Sequence, residues 1–177
     1  SEFSYTNDPK LVKVLFQYGR YLMISASRDS QPMNLQGIWN KFRNPAWGCK
    51  LTTNINYQMN YWPAFTTNLA ECFKPFVEKA KALQAPGNET ARVHYNISNG
   101  WVVHHNTDLW NRCAPIDGVW GFWPTGAGWI SNMLYDAYNF NQDIGYLNEI
   151  YPVIKGSADF LQTLMQSKNI NGQNYQE

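Results

Sequence analysis

The run Thr52-Thr53-Asn54-Ile55-Asn56 places two carboxamides one residue apart beside a hydroxyl. In extended backbone, alternate side chains share a face, so the amides of Asn54 and Asn56 would point the same way. Capping of a following helix is the plainer use of an asparagine, yet it explains two co-facing amides beside Thr52 less easily. A second cluster, His104-His105-Asn106-Thr107-Asp108, lies between Trp101 and Trp110. His104, His105 and Asp108 could ligate a metal, but a metal site needs a third or fourth ligand at compatible spacing. With three His in the chain and no Cys close by, hydrogen bonding to a neutral polyol or to backbone is the better reading, and no metal or other cofactor is expected. A third cluster, Trp120-Gly121-Phe122-Trp123-Pro124-Thr125-Gly126, supplies ring faces and little acid or base, and reads as pocket lining. The serine-hydrolase elbow, the phosphate-binding loop, the zincin helix and the dinucleotide fingerprint are all missing from the sequence.

These clusters sit in a chain of 177 residues, a length that suits one domain or a piece of a larger one. Lys+Arg 14 against Asp+Glu 13 gives a net charge of +1, which argues against nucleic acid or an anionic membrane as partner. Hydrophobic residues at 44% and charged residues at 15% describe a chain that buries a core. No apolar run reaches the roughly 18 to 20 residues of a membrane span, and Ser1-Glu2-Phe3-Ser4 does not start a signal peptide. Cys49, Cys72 and Cys113 are odd in number and far apart, so neither a disulfide framework nor a zinc site is indicated. Aromatic residues make up 16% of the chain. Apolar rings with polar tips suit sugars, which have C–H faces and hydroxyl rims, although any single Trp is more often core.

Helices must position the clusters. Leu11, Val14, Leu15, Tyr18 and Leu22 fall on one helical face after Asp8-Pro9. Residues 27–53 lose periodicity and carry Trp39 and Trp47, which reads as a long loop forming a pocket wall. Asn68 and Glu71 have capping-box spacing before Leu69, Cys72, Phe73, Phe76, Val77, Ala80 and Leu83, a helix expected to end near Pro86-Gly87. A short turn of helix through Ala91 and Tyr95, a second loop over 97–128 and a helix over 129–138 follow. A further pattern from Ile144 to Met165 contains Pro152, and implies a kinked helix or two abutting ones. No strand pattern of comparable length occurs. The layout is all-α, with five or six helices whose loops meet at one end to build a site, and the chain has the look of half of something larger.

Six stretches together resemble glycoside hydrolase family 95. They are Leu15-Phe16-Gln17-Tyr18-Gly19-Arg20-Tyr21-Leu22, Asn34-Leu35-Gln36-Gly37-Ile38-Trp39-Asn40, Thr53-Asn54-Ile55-Asn56, Met59-Asn60-Tyr61-Trp62-Pro63, His104-His105-Asn106-Thr107-Asp108 and Trp123-Pro124-Thr125-Gly126. They run from about residue 10 to 165 in family order and spacing. The resemblance implies an (α/α)6 barrel, of which residues 1–177 would be a single segment, about the first half. The remaining helices and flanking β domains would then lie in the rest of the parent chain. It also implies an inverting exo-α-L-fucosidase acting on α-1,2-linked terminal fucose, with α-L-galactose as a second or preferred sugar. The partner is then a fucosylated or L-galactosylated oligosaccharide, and the location extracellular or periplasmic.

Inversion needs one carboxylic acid to protonate the leaving oxygen and a base to activate water on the opposite face, about 6.5 to 9.5 Å away. An amide can orient that water when a carboxylate polarises its NH2 group. By motif match, Asn54 and Asn56 are the catalytic amides. The family's general acid, a Glu in an S-P-E-N motif, and its amide-activating Asp are expected C-terminal to residue 177. Asp136, in Leu134-Tyr135-Asp136-Ala137-Tyr138, is the nearest alternative acid and reads as a wall or solvent-facing carboxylate; Glu177 has no motif around it. Substrate-binding expectations fall on Thr52, Trp39, His105, Asp108, Trp123 and Trp129. Family members carry His or Thr at the position of Thr52, and a Thr leaves room for the extra hydroxyl of L-galactose. A non-catalytic carbohydrate-binding protein on the same barrel is the rival reading. A phosphorylase would need an anion site, and no Arg or Lys cluster accompanies the asparagines.

Overall fold

The computed structural model describes residues 8–29, 31–165, 167–171 and 173–176. Asp8 accepts a hydrogen bond from the Lys10 amide and Pro9 occupies the first turn of helix α1, Pro9–Ala26. The expected stripe is present but faces outward for most of its length. Val14, Leu15 and Tyr18 are exposed, Leu11 and Leu22 half-buried, and only Met23 and Ala26 of the helix are buried. The core therefore holds α1 by its C-terminal end. There Ser27 pairs with the Tyr61 hydroxyl at 2.6 Å and donates to the Cys72 carbonyl at 2.9 Å.

The loop from residue 27 is irregular as expected, broken by a single 3-10 turn at Ala46–Cys49. Strand β1 (Leu51–Thr52), helix α2 (Asn56–Tyr61) and helix α3 (Pro63–Thr66) follow in quick succession. The capping-box expectation at Asn68 fails. Asn68 is left-handed (φ 56°), a 3-10 turn covers Ala70–Phe73, and helix α4 begins only at Lys74. Nor does that helix stop at Pro86-Gly87: α4 runs unbroken over Lys74–Tyr95. Pro86 forfeits one backbone donor, but tertiary packing outweighs that loss. A Cβ on Gly87 would lie 2.8 Å from the Val102 carbonyl, so the glycine lets the next segment press against α4. The helix ends at Asn96, left-handed at φ 54°, with the amides of Asn96 and Ile97 returning to the last turn.

Trp101, 1% exposed, is the wedge that fixes the next stretch. Its indole N–H donates to the Val153 carbonyl at 2.9 Å and its backbone amide to Gly156 at 3.2 Å. A Cβ on Gly156 would come within 2.9 Å of the indole. Strand β2 (Asn106–Thr107) follows, then helix α5 (Gly126–Asn141) and helix α6 (Ile144–Leu164). Left-handed Gln142 closes α5, and Asp143 caps α6 by accepting from Gly145. α6 packs on both α5 and α4 and continues through Pro152 as one helix, so the abutting-helix alternative is not what forms. Tyr57, Tyr61, Phe73 and Phe76 make an aromatic centre, with Tyr57 stacked on Phe76 at 4.7 Å.

The sequence reading assigns no element to residues 167–176, yet β3 (Ser167–Ile170) and β4 (Gln173–Gln176) form an antiparallel hairpin there. Asn171-Gly172 is the turn dipeptide that signals one. With its strands confined to two small ladders among the described residues, the chain is all-α in character.

Candidate active site

Two segments far apart in sequence are locked into one wall. β1 and β2 pair antiparallel, with Leu51 opposite Thr107 and Thr52 opposite Asn106. The Thr53 amide donates to the His105 carbonyl at 2.8 Å, and its buried hydroxyl donates to the His104 carbonyl. Gln58 of α2, fully buried, donates its side-chain amide to the Thr53 carbonyl. Those bonds use the inward groups of residue 53 and leave its neighbours in sequence, Thr52 and Asn54, to face elsewhere.

They face a cavity of about 360 Å³ lined by Leu35, Trp47, Thr52, Asn54, Ile55, Asn56, His105 and Asn106. Thus Thr52, Asn54, Asn56 and His105, named from sequence, come together in one place. The capping alternative for the two asparagines does not hold: Ile55 occupies the cap position of α2, with no side-chain cap bond. Neither amide is engaged with another described residue, so both are available to a ligand. A larger but shallow surface hollow around Trp39, and a greasier groove between α4 and α6 near Tyr146, contain none of these groups.

The electrostatics around the cavity divide between the two histidines. His104 is fully buried; its Nδ1 accepts from the Trp123 amide at 3.0 Å, which leaves Nε2–H to donate to the Tyr95 hydroxyl at 3.1 Å. Burial lowers its pKa to about 4, with His94 and His105 adding repulsion, so it is a neutral strut. His105 differs. Its Nε2 lies 2.7 Å from Asn106 Nδ2 and 3.4 Å from Asp117 Oδ2. Asp117 also accepts from Asn106 Nδ2 at 2.9 Å and binds Lys50 Nζ at 2.8 Å. The Lys50 ammonium holds the Asp117 carboxyl below the usual carboxylate range, assisted by His105 and Asn106.

The remaining sequence-named residues stand elsewhere. Asp108 caps its own turn, accepting from the amides of Trp110 and Arg112 at 2.9 and 3.1 Å. Buried Lys79 binds the Asp108 carbonyl and Asn111 Oδ1 beneath that turn, and burial lowers its pKa. Trp39 leans on Tyr21 at 6.5 Å in the outer loop. Trp123 and Trp129 meet edge to face at 6.1 Å, with Trp129 packed against the core. Asp136 lines a separate hollow with Tyr61, Trp62 and Phe140, and Glu177 lies outside the described residues. Among the described residues no group of three or more His, Cys, Asp or Glu could hold a metal ion.

Sequence reasoning put Trp47 in a pocket-wall loop and Asn106 in the second polar cluster without giving either a binding role, and it passed over Asp117. Trp47 and Cys49 flank Gly48 in a run of three left-handed residues, with φ values of 56°, 65° and 50°, that brings the indole to the cavity. Periodicity cannot register such a turn. Alternation does not find Asn106, since it would set Asn106 on the face opposite His105 whereas both line the cavity.

The described lining residues offer amides, a hydroxyl, an imidazole and an indole, and none of them is a carboxylate. Such groups bind hydroxyls and orient water. The profile of the glycosyl hydrolase family 95 catalytic domain matches residues 1–176. The chain is 42% identical over 163 residues to Alpha-L-fucosidase 2 of Arabidopsis thaliana, covering 90% of this chain and 19% of that protein. It is 38% identical over 164 residues to Probable alpha-fucosidase A of Aspergillus niger, covering 90% of this chain and 21% of the relative. Probable alpha-fucosidase A of Aspergillus oryzae is 43% identical over 111 residues. The chain spans about a fifth of the length of the first two relatives.

Proposed function

From the premise that this chain belongs to glycosyl hydrolase family 95, as an all-α piece of its catalytic barrel domain, we propose that the full-length protein releases terminal α-L-fucose from α-1,2-fucosylated oligosaccharides with inversion, and accepts α-L-galactosides as well. The observation that carries this reading is the pair of unengaged amides, Asn54 and Asn56, at a cavity shared with Thr52 and His105. In the proposed mechanism the sugar lies against this wall, Asn54 and Asn56 hold the attacking water, and His105 and Thr52 contact sugar hydroxyls. Trp47 offers an apolar face to the pyranose C–H groups. In this reading the acid that protonates the leaving oxygen and the carboxylate that polarises the amides are supplied by residues other than the described lining residues, none of which is a carboxylate. The proposed site of action is outside the cytoplasm, on extracellular or periplasmic glycans. The other parts of the parent chain, including β domains, complete the barrel's surroundings.

The same lining groups would also serve one rival, a carbohydrate-binding protein without turnover. A single experiment separates them. The full-length protein is incubated with an α-1,2-fucosylated oligosaccharide and, separately, with an α-L-galactoside, while proton NMR follows the first anomer released. An initial β-anomer is expected. An initial α-anomer means retention and overturns the water-holding role, and binding without release establishes the rival.

A further inference from the structure

Trp47 lines the cavity and still keeps 79% of its surface exposed, so its indole stands at the rim and not on the floor. So open a position is unusual for a side chain with one of the largest apolar surfaces a protein can bury. Its backbone is unusual as well. Trp47 and Cys49 are non-glycine residues in the left-handed region, on either side of Gly48. That conformation persists only where the surroundings hold it. Here the Gly48 amide donates to the Pro45 carbonyl at 3.0 Å, the Cys49 thiol to Gln36 Oε1 at 2.9 Å and the Leu35 amide to the Lys50 carbonyl at 3.2 Å. Lys50 is held in turn by Asp117. The turn is fastened from several sides, whereas the indole it presents has no hydrogen bond or ring contact with another described residue.

The cavity, at about 360 Å³, equals about a dozen water volumes of about 30 Å³ each. That is room for one deoxyhexose ring and its attacking water, which leaves a second sugar outside, at the rim. Inversion sends the leaving oxygen away from the attacking water. With Asn54 and Asn56 on the water, the next sugar leaves from the face of the ring that they do not meet. An open indole suits such a partner, because its face takes the C–H groups of a pyranose while the hydroxyls around the edge stay in water.

We propose that Trp47 is a specificity-determining residue that stacks on the sugar next to the terminal fucose, so that the rim of the cavity selects a pyranose aglycone. This rests on the fucose-releasing reading above and assigns the indole to the neighbour of the fucosyl ring. The fastened turn presents the ring already in place, so that less freedom is lost on binding.

The test uses the full-length protein and two substrates that share α-L-fucose and differ in what leaves. One is α-1,2-fucosyllactose, with a pyranose aglycone, and the other is α-L-fucosyl fluoride, with a single atom. Trp47→Ala is expected to lower kcat/KM for the trisaccharide about tenfold, through KM more than kcat, the size of one lost aromatic contact. For the fluoride it is expected to stay within about twofold of the parent. Trp47→Phe keeps a ring face and is expected to bring the trisaccharide back to within about threefold. Thermal midpoints of both variants, taken alongside, should match the parent because the side chain is exposed. Equal losses on the two substrates put Trp47 on the fucosyl ring or in the scaffold and overturn the proposal. So do unchanged rates on both, or an unaltered protein that cleaves the fluoride and not the trisaccharide, and in each case fucose release itself stands. If the unaltered protein cleaves neither substrate, the functional reading falls and takes this inference with it.

Discussion

The amide of Thr53 donates to the carbonyl of His105 at 2.8 Å, and its hydroxyl reaches the carbonyl of His104. One fully buried threonine thereby fastens the asparagine pair to the histidine pair. Replacing Thr53 with Val keeps the shape and removes the hydroxyl, leaving the His104 carbonyl short of its side-chain partner. The expected cost is about 1 to 3 kcal/mol of stability. Urea unfolding of the full-length protein checks it, and a midpoint indistinguishable from the parent refutes it.

Asn56→Gly removes one of the two amides proposed to hold water without altering any hydrogen bond within the described residues. Turnover is expected to fall by about a hundredfold or more, as for other positioned polar groups at a reacting centre. The thermal midpoint should barely move. Steady-state rates on an α-1,2-fucosylated oligosaccharide decide the matter, and retained turnover removes Asn56 from the mechanism.

Thr52 stands opposite Asn106 across the ladder and lines the cavity with a small side chain. Thr52→His fills that space. The ratio of kcat/KM for fucoside over galactoside is expected to rise by about tenfold, because the added hydroxyl of galactose loses its room and its partner. Competition kinetics with both substrates report the ratio, and an unchanged value means Thr52 does not select between them.

His104 makes acid sensitivity a local property. Its folded pKa of about 4 lies below the ordinary 6.5. The unfolded chain therefore binds its proton first on acidification. The stability it contributes is fully present above pH 6.5 and is lost as pH falls toward 4. His104→Gln is expected to flatten the decline in thermal midpoint across that window, and a decline equal to that of the parent would show that other groups govern it.

Gly156→Ala places a methyl group within 2.9 Å of the Trp101 indole. Overpacking of this kind costs about 1 to 3 kcal/mol. Trp101 also leads into the His104–Thr107 stretch, so the variant is expected to lower both thermal midpoint and sugar affinity. Differential scanning fluorimetry with L-fucose titration measures both, and a midpoint equal to the parent's would mean that α6 shifts freely.

The long helices were legible because periodicity averages over many residues. α1, α5 and α6 fall where apolar spacing places them, and Asp8 and Gln142 mark ends that local chemistry explains. Pro86-Gly87 misleads for a tertiary reason: its compatibility with α4 depends on Trp101 and Val102, 14 residues or more away in sequence. The outward face of α1 is equally invisible, since periodicity says which face is apolar and not whether anything covers it. Thr52, Asn54, Asn56 and His105, named from motif and alternation, line one cavity. The loop carrying Trp47 was expected to form a pocket wall, but which cavity its indole reaches was not legible, because a left-handed turn has no period. Asp117 was missed because its role exists only once Lys50, His105 and Asn106 meet around it. Asp108, Trp123 and Trp129 share motifs with residues of the cavity but stand outside its lining, Asp108 capping its own turn and the two indoles meeting edge to face.

The short ladder between β1 and β2 also governs when the site comes into being. Thr53 and His104 are 51 residues apart, so the chain must close a loop containing α2, α3 and α4 before the two walls touch. The entropy of that closure is offset in the folded chain by contacts such as Trp101 packed between Gly87 and Gly156. A nascent or partly unfolded chain can hold every one of its helices and still lack this cavity. Hydrogen exchange at the Thr53 amide would mark the moment at which the pocket is born.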